Sequence, residues 1–135
     1  MKRELLLQNP APDGYHLMLE FFGCDTAKID SLPYLRQAMQ SAVQTAGLTN
    51  LGSCFHQFHP HGVTGFTLLS QSHISFHTWP DYGYLVLDIF TCGPEEQAQQ
   101  VAEVLLDRLG PCQVKRQVVR KGFRYQKDLT QNSES

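Results

Sequence analysis

The strongest constraint lies between residues 50 and 92, where four strand-like segments follow one another with almost no chain between them. Residues 50–58 and 63–69 are separated by "HPHG", whose Pro60 and Gly62 mark a turn. Residues 73–79 come a few positions later, and "WPDYG" then leads into the near-continuous apolar run "YLVLDIFTC" at 84–92. A parallel crossover needs about a dozen residues or more, so segments this close must pair antiparallel.

The flanks supply the second layer. "YHLMLEFF" (15–22) is rich in strand formers and stops at Gly23. In "DSLPYLRQAMQSAVQTAG", Asp30 or Ser31 can cap, Pro33 suits a first turn, and Leu32, Leu35, Met39, Val43 and Ala46 recur at helical spacing until Gly47. Gly93-Pro94-Glu95-Glu96 opens a second helix, with acids where the helix dipole favours them. Its apolar stripe is Ala98, Val101, Leu105 and Leu109, ended by Gly110-Pro111, and 113–120 reads as a last strand. The order β-α-β-β-β-β-α-β predicts an α+β two-layer sandwich, an antiparallel sheet with two helices on one face. Residues 1–125 are expected to form one domain, followed by a polar C-terminal tail at 126–135.

Charge narrows the choice of partners. The 135 residues carry a net charge of −2, which lacks the basic field that nucleic acid or a polybasic membrane contact requires. The local cluster Lys115, Arg116, Arg120, Lys121 and Arg124 reads as an edge strand whose charges oppose aggregation. "MKRELLLQNP" holds too short an apolar run for a secretory signal, which needs roughly 7–15 residues. No window approaches the roughly 18 apolar residues of a membrane span, so a cytoplasmic protein is expected. Cys24, Cys54, Cys92 and Cys112 form no C-x-x-C pair, so each is expected to be a free thiol.

Against that frame the stretch "LLSQSHISFHTWPDYGYLVLDIFTCG" (68–93) is oddly polar. Burying such groups costs free energy unless they find partners. His73, Ser75 and His77 alternate on one strand face, and periodicity alone favours a wetted face. Ser72 lies just before them, but no G-x-S-x-G elbow is present and Asp88 is the only acid deep in an apolar strand, so a serine hydrolase is poorly supported. Cys54, His56, His59 and His61 crowd into eight residues. Strand alternation splits them and no second ligand pair stands at metal spacing, so no metal is expected. Cys92 ends an apolar strand just ahead of a helix, where the dipole favours the reactive form of a thiol, although a buried structural cysteine fits the position too.

Taken together, "HLMLEFFGCD", "FHQFHPHGVTG", "SHISFHTWPDYGY" and "DIFTCG" resemble the prokaryotic S-adenosylmethionine decarboxylase proenzymes, in order and spacing, from about Tyr15 to Phe123. The resemblance implies a pyruvoyl-dependent decarboxylase that cuts itself between Gln71 and Ser72. Ser72 would be the precursor of the pyruvoyl cofactor, whose carbonyl forms a Schiff base with the substrate amine and accepts the electrons left by carbon dioxide. His77 would be the proton acceptor in processing, Thr64 its support in the place of a usual serine, and Cys92 the proton donor in catalysis. Phe58 would stack on adenine, and Asp81 stands where the family usually binds ribose with a glutamate. A homodimer of cleaved protomers is implied, making the aminopropyl donor for spermidine synthesis.

Two further residues depart from the pattern. Gln71 replaces the glutamate before the cleaved serine, but the attacked carbonyl belongs to the backbone and remains. Asp81 is one methylene shorter than its usual counterpart, which leaves open another amino acid, arginine or ornithine, as substrate. An unprocessed homologue acting as a regulatory partner is the third reading, and retention of Ser72, His77 and Cys92 weighs against it.

Overall fold

Strand residues alternate between apolar and polar along most of the chain, and the tertiary structure turns that alternation into two unlike faces. The computed structural model describes residues 11–130. Its elements are β1 (Asp13–Phe22), α1 (Thr26–Ile29), α2 (Leu32–Thr45), β2 (Asn50–Gln57), β3 (Val63–Leu69), β4 (Ser72–Trp79), β5 (Tyr84–Thr91), α3 (Glu95–Leu109) and β6 (Gln113–Gly122). Short 3-10 segments lie between β4 and β5, at Pro80–Tyr82, and after β6, at Phe123–Asp128. The sheet runs β2-β3-β4-β5-β1-β6, and every neighbouring pair is antiparallel. This is the expected α+β architecture.

One face of the sheet carries the core. Leu17, Leu19 and Phe21 of β1, Ile74 and Phe76 of β4, and Leu85, Leu87 and Ile89 of β5 are all buried there. They meet Leu35, Met39 and Val43 of α2 and Val101, Leu105 and Leu109 of α3. The helices are also tied to each other, since Tyr34 Oη donates to the Arg108 carbonyl at 2.6 Å and Arg108 donates to Ser41 Oγ at 2.9 Å. Gly65 sits between Phe55 and Phe76 across the β2–β3–β4 pairings, and a Cβ there would overlap both rings. The glycine lets the rings approach to 6.0 Å.

The expected helices are present with their expected caps, Ser31 Oγ accepting from the Tyr34 amide at the start of α2. The additional four-residue α1 forms because Asp25 Oδ1 accepts from the amides of Ala27 and Lys28. β6 lies at the sheet edge, where the basic cluster is solvated and partly paired, Arg120 with Glu95 and Arg124 with Asp13. The last residues of the expected polar tail, 131–135, lie outside the described residues, as do 1–10.

Phe76→Ala removes a fully enclosed ring beneath the sheet. It is expected to cost about 3–5 kcal/mol of folding stability, measured as a shift in the urea midpoint.

Candidate active site

Most residues singled out in the sequence lie at the two ends of β4, and the hairpin before it holds the first group. β3 and β4 are joined by Ser70 and Gln71 alone, with Leu69 opposite Ser72 as the last pair. Two-residue hairpins favour left-handed backbone, yet neither Ser70 nor Gln71 has positive φ. Hydrogen bonds from outside the hairpin hold this turn. The Ser70 amide donates to the Thr49 carbonyl at 3.1 Å, and the Cys92 amide donates to the Gln71 carbonyl at 3.1 Å. That second bond carries the β4–β5 pairing one residue past Ser72–Thr91, and the strand ends where the next amide, of Gly93, turns back onto Thr91 Oγ1 at 2.9 Å.

Ser72 is drawn into β4 as its first residue and faces Thr91 across the β4–β5 pairing. Its Oγ is buried and has no hydrogen-bond partner among the described residues. Leaving a buried hydroxyl unpaired costs about 1–3 kcal/mol, so this hydroxyl is not a structural tie. The Gln71 side chain lies over Gly93, where any Cβ would collide with it. Cys92 is exposed and opens onto a cleft of about 780 Å³ that it shares with Gly14, Phe90, Lys121 and Arg124.

The second group sits at the far end of β4. His77 is exposed and its Nδ1 lies 2.9 Å from Thr64 Oγ1, its cross-strand neighbour. Phe58 is 47% exposed and meets His56 edge-on at 4.5 Å. Asp81, on the 3-10 turn after Trp79, has a 70% exposed side chain, 3.8 Å from His61 Nε2. Within one chain the structure does not bring His77 to Ser72. Five residues of strand separate them, about 17 Å, and alternation turns Ser72 with Ile74 and Phe76 but His77 the other way.

Between the two ends, the open face of the sheet is aromatic and weakly polar. His73 stacks between Phe66 at 5.5 Å and Phe90 at 5.9 Å. Burial, then the neighbouring His16, pushes the His73 imidazole below its usual pKa, with Asp88 opposing. Asp88 itself stands 3.4 Å from His16. The dense Cys54–His61 segment does not gather as ligands: among the described residues no three His, Cys, Asp or Glu side chains converge as a metal site. His61 instead contacts Asp30 at 3.1 Å, a pairing across 31 residues that no spacing in the sequence announced.

The S-adenosylmethionine decarboxylase family profile matches residues 15–122. The chain is 42% identical over 109 residues to a protein of Persephonella marina named S-adenosylmethionine decarboxylase proenzyme, covering 81% of this chain and 82% of that one. A protein of the same name from Aquifex aeolicus is 38% identical over 110 residues, covering 82% of each. The fold is similar to the crystal structure of the adenosylmethionine decarboxylase from Aquifex aeolicus, with a TM-score of 0.79 and 34% identity over 93% of this chain and 99% of that one.

The thiols differ in environment, which gives a direct check. Burial, and then the nearby Cys112, push the Cys24 thiol up to about 11, whereas Cys92 is exposed. At pH 8 only about a thousandth of Cys24 is thiolate, given a shift of that size. Iodoacetamide at pH 8 followed by peptide mapping is expected to modify Cys92 and leave Cys24 unmodified.

Proposed function

The chain belongs to the S-adenosylmethionine decarboxylase family, and from that premise we propose that it cuts its own backbone between Gln71 and Ser72 and then decarboxylates S-adenosylmethionine. The observation that carries this reading is the buried, unpartnered Ser72 Oγ beside a carbonyl polarised by the Cys92 amide. A hydroxyl without a competing partner is free to attack. An amide already aimed at the attacked carbonyl favours the oxyanion that develops there.

The steps balance on the chain's own atoms and one water molecule. Ser72 Oγ adds to the Gln71 carbonyl carbon and the 71–72 amide bond breaks, leaving an ester and a free amine on residue 72. Loss of the residue-72 α-proton to a base breaks the ester and releases Gln71 as a carboxylate, with a dehydroalanine at 72. Water then replaces the enamine nitrogen, ammonia leaves, and a pyruvoyl group caps the 72–135 fragment. Gln71 keeps every atom this sequence needs. The pyruvoyl carbonyl supplies an electron sink next to the substrate's amine-bearing carbon. Cys92, exposed at the neighbouring cleft, returns a proton to that carbon after carbon dioxide leaves. Phe58 stacks on adenine and Asp81 accepts from the ribose hydroxyls. The product would be an aminopropyl donor of the kind spermidine synthesis consumes.

His77 is the base, and Thr64 suits it for that role. When Nδ1–H donates to Thr64 Oγ1, the Nε2 lone pair is left free to take a proton. Because His77 lies about 17 Å from the Ser72 of its own chain by strand count, the site is completed by a second copy. The open sheet face leaves Phe66, Leu68 and Trp79 more than 40% exposed. A two-fold axis across it sets the Ser72 end of one protomer against the Phe58, His77 and Asp81 end of the other, as an isologous interface permits.

Three measurements test this. Intact-mass analysis is expected to show fragments 1–71 and 72–135, the second with a blocked, carbonyl-bearing N-terminus, and Ser72→Ala is expected to stay full length. A full-length wild-type chain after long incubation would leave the regulatory-partner reading standing. Co-expression of Ser72→Ala with His77→Ala chains is expected to cleave the His77→Ala chain, which alone stays intact; its cleavage when expressed alone removes the partner-supplied base. Carbon dioxide release from S-adenosylmethionine, arginine and ornithine is expected only from the first, and release from either of the others reassigns the substrate.

A further inference from the structure

The end of the molecule that carries Phe58 and Asp81 is organised around a residue outside the processing chemistry. Asp30, which closes α1, accepts from the Gly62 amide at 2.9 Å and from Gln57 Nε2 at 3.2 Å through Oδ1. Its other oxygen, Oδ2, meets His61 Nδ1 at 3.1 Å. The far nitrogen of the same ring, Nε2, stands 3.8 Å from Asp81 Oδ1, an ion-pair distance rather than a hydrogen bond. The turn that presents His61 is itself fixed. Gly62 adopts φ of +107°, where a side chain would press on the Thr78 carbonyl, and its own carbonyl receives the Phe58 amide at 2.8 Å and Gln57 Nε2 at 3.1 Å.

We infer that His61, anchored by Asp30, is a positioning residue that holds Asp81 in place to receive the nucleoside of the substrate. The inference rests on the reading of Asp81 as the ribose contact. Asp81 sits on a short turn with its side chain largely in solvent, so an unrestrained carboxylate would lose freedom each time it bound. An ionised carboxylate has about four lone-pair sites on two oxygens. His61 engages the Oδ1 side and leaves Oδ2 for the ribose hydroxyls. This also accounts for a short aspartate working where a longer glutamate is usual: the ring from the neighbouring turn supplies the restraint that side-chain length would otherwise provide.

The charged groups facing His61 are Asp30, from the end of α1, and Asp81, from the 3-10 turn. The hydrogen bond to Asp30, then the charge of Asp81, raise the His61 pKa above its usual value. Asp30 is correspondingly lowered, first by the Gly62 amide and then by His61. The ring is therefore cationic, and its hold on Asp81 full, on the acid side of that raised pKa. The hold fades as pH rises through it.

The test reads affinity for 5′-methylthioadenosine by calorimetry from pH 6 to 9, a probe with the nucleoside but no group that titrates in that range. His61→Ala is expected to weaken binding about fivefold at the acid end, the scale of one exposed ion pair. The wild-type affinity is expected to fall with rising pH and the variant's to stay flat. Self-cleavage by intact mass, and kcat with S-adenosylmethionine, should stay within about twofold while KM rises. In an Asp81→Glu background the effect of His61→Ala should shrink toward none, because the longer acid reaches unaided. If Asp81→Asn weakens binding but His61→Ala does not, the positioning role is overturned and the ribose contact stands. If neither variant weakens binding, the ribose reading fails and this inference with it. Weakening by His61→Ala alone would show the ring acting other than through Asp81, which also overturns the inference.

Discussion

The antiparallel register of β4 against β5 is the constraint on which the rest depends. Pairing Ser72 with Thr91 sets residue 71 beside residue 92, so the Gln71 carbonyl receives the Cys92 amide. The same register points Ser72 with the apolar side chains that pack under the helices, and buries its hydroxyl with no hydrogen-bond partner among the described residues. A one-residue slip would turn every side chain of β4 to the opposite face, exposing Ile74 and Phe76 and burying His73 and His77. Core packing therefore enforces the geometry of the proposed cleavage site. The two cannot be altered independently.

Alternation also explains why the residues of the proposed site fall into two separate groups within one chain. A strand places neighbours on opposite faces and moves its ends about 3.3 Å apart per residue. Ser72 and His77 are separated by both effects. A single protomer thus holds a hydroxyl and carbonyl at one end, and an imidazole, an exposed ring and a carboxylate at the other. The open face between them, with its stacked Phe66, His73 and Phe90, is the surface through which two copies would bring unlike ends together. Keeping the base out of reach within a chain would link backbone cutting to assembly.

The fold was almost wholly legible in the residues. Short connections forced antiparallel pairing, Ser31 and Gly47 bracketed one helix, and Gly93-Pro94 opened the other. The small helix at Thr26–Ile29 escaped notice because four residues give no periodicity; only the Asp25 side chain marks it. At the site, the chemistry-bearing letters stood out as polar residues in apolar strands. What they contact did not, because the partners are backbone groups or lie dozens of residues away. The Cys92 amide is invisible in a sequence, and nothing in the spacing joins His61 to Asp30.

The sequence by itself determined which groups are available: a serine after a carbonyl, a histidine on a strand, a thiol at a strand end, and a short acid in a turn. It determined the sheet as well, since period-two patterning and tight turns admit few alternatives. Only the tertiary structure decided which groups meet. Hydrogen bonds from the 57–62 turn to Asp30, and from the Cys92 amide to Gln71, close over long loops, and their existence depends on how the helices and the sheet register set distant segments side by side. Local pattern fixes the faces of an element. Proximity between elements is a property of the packed whole.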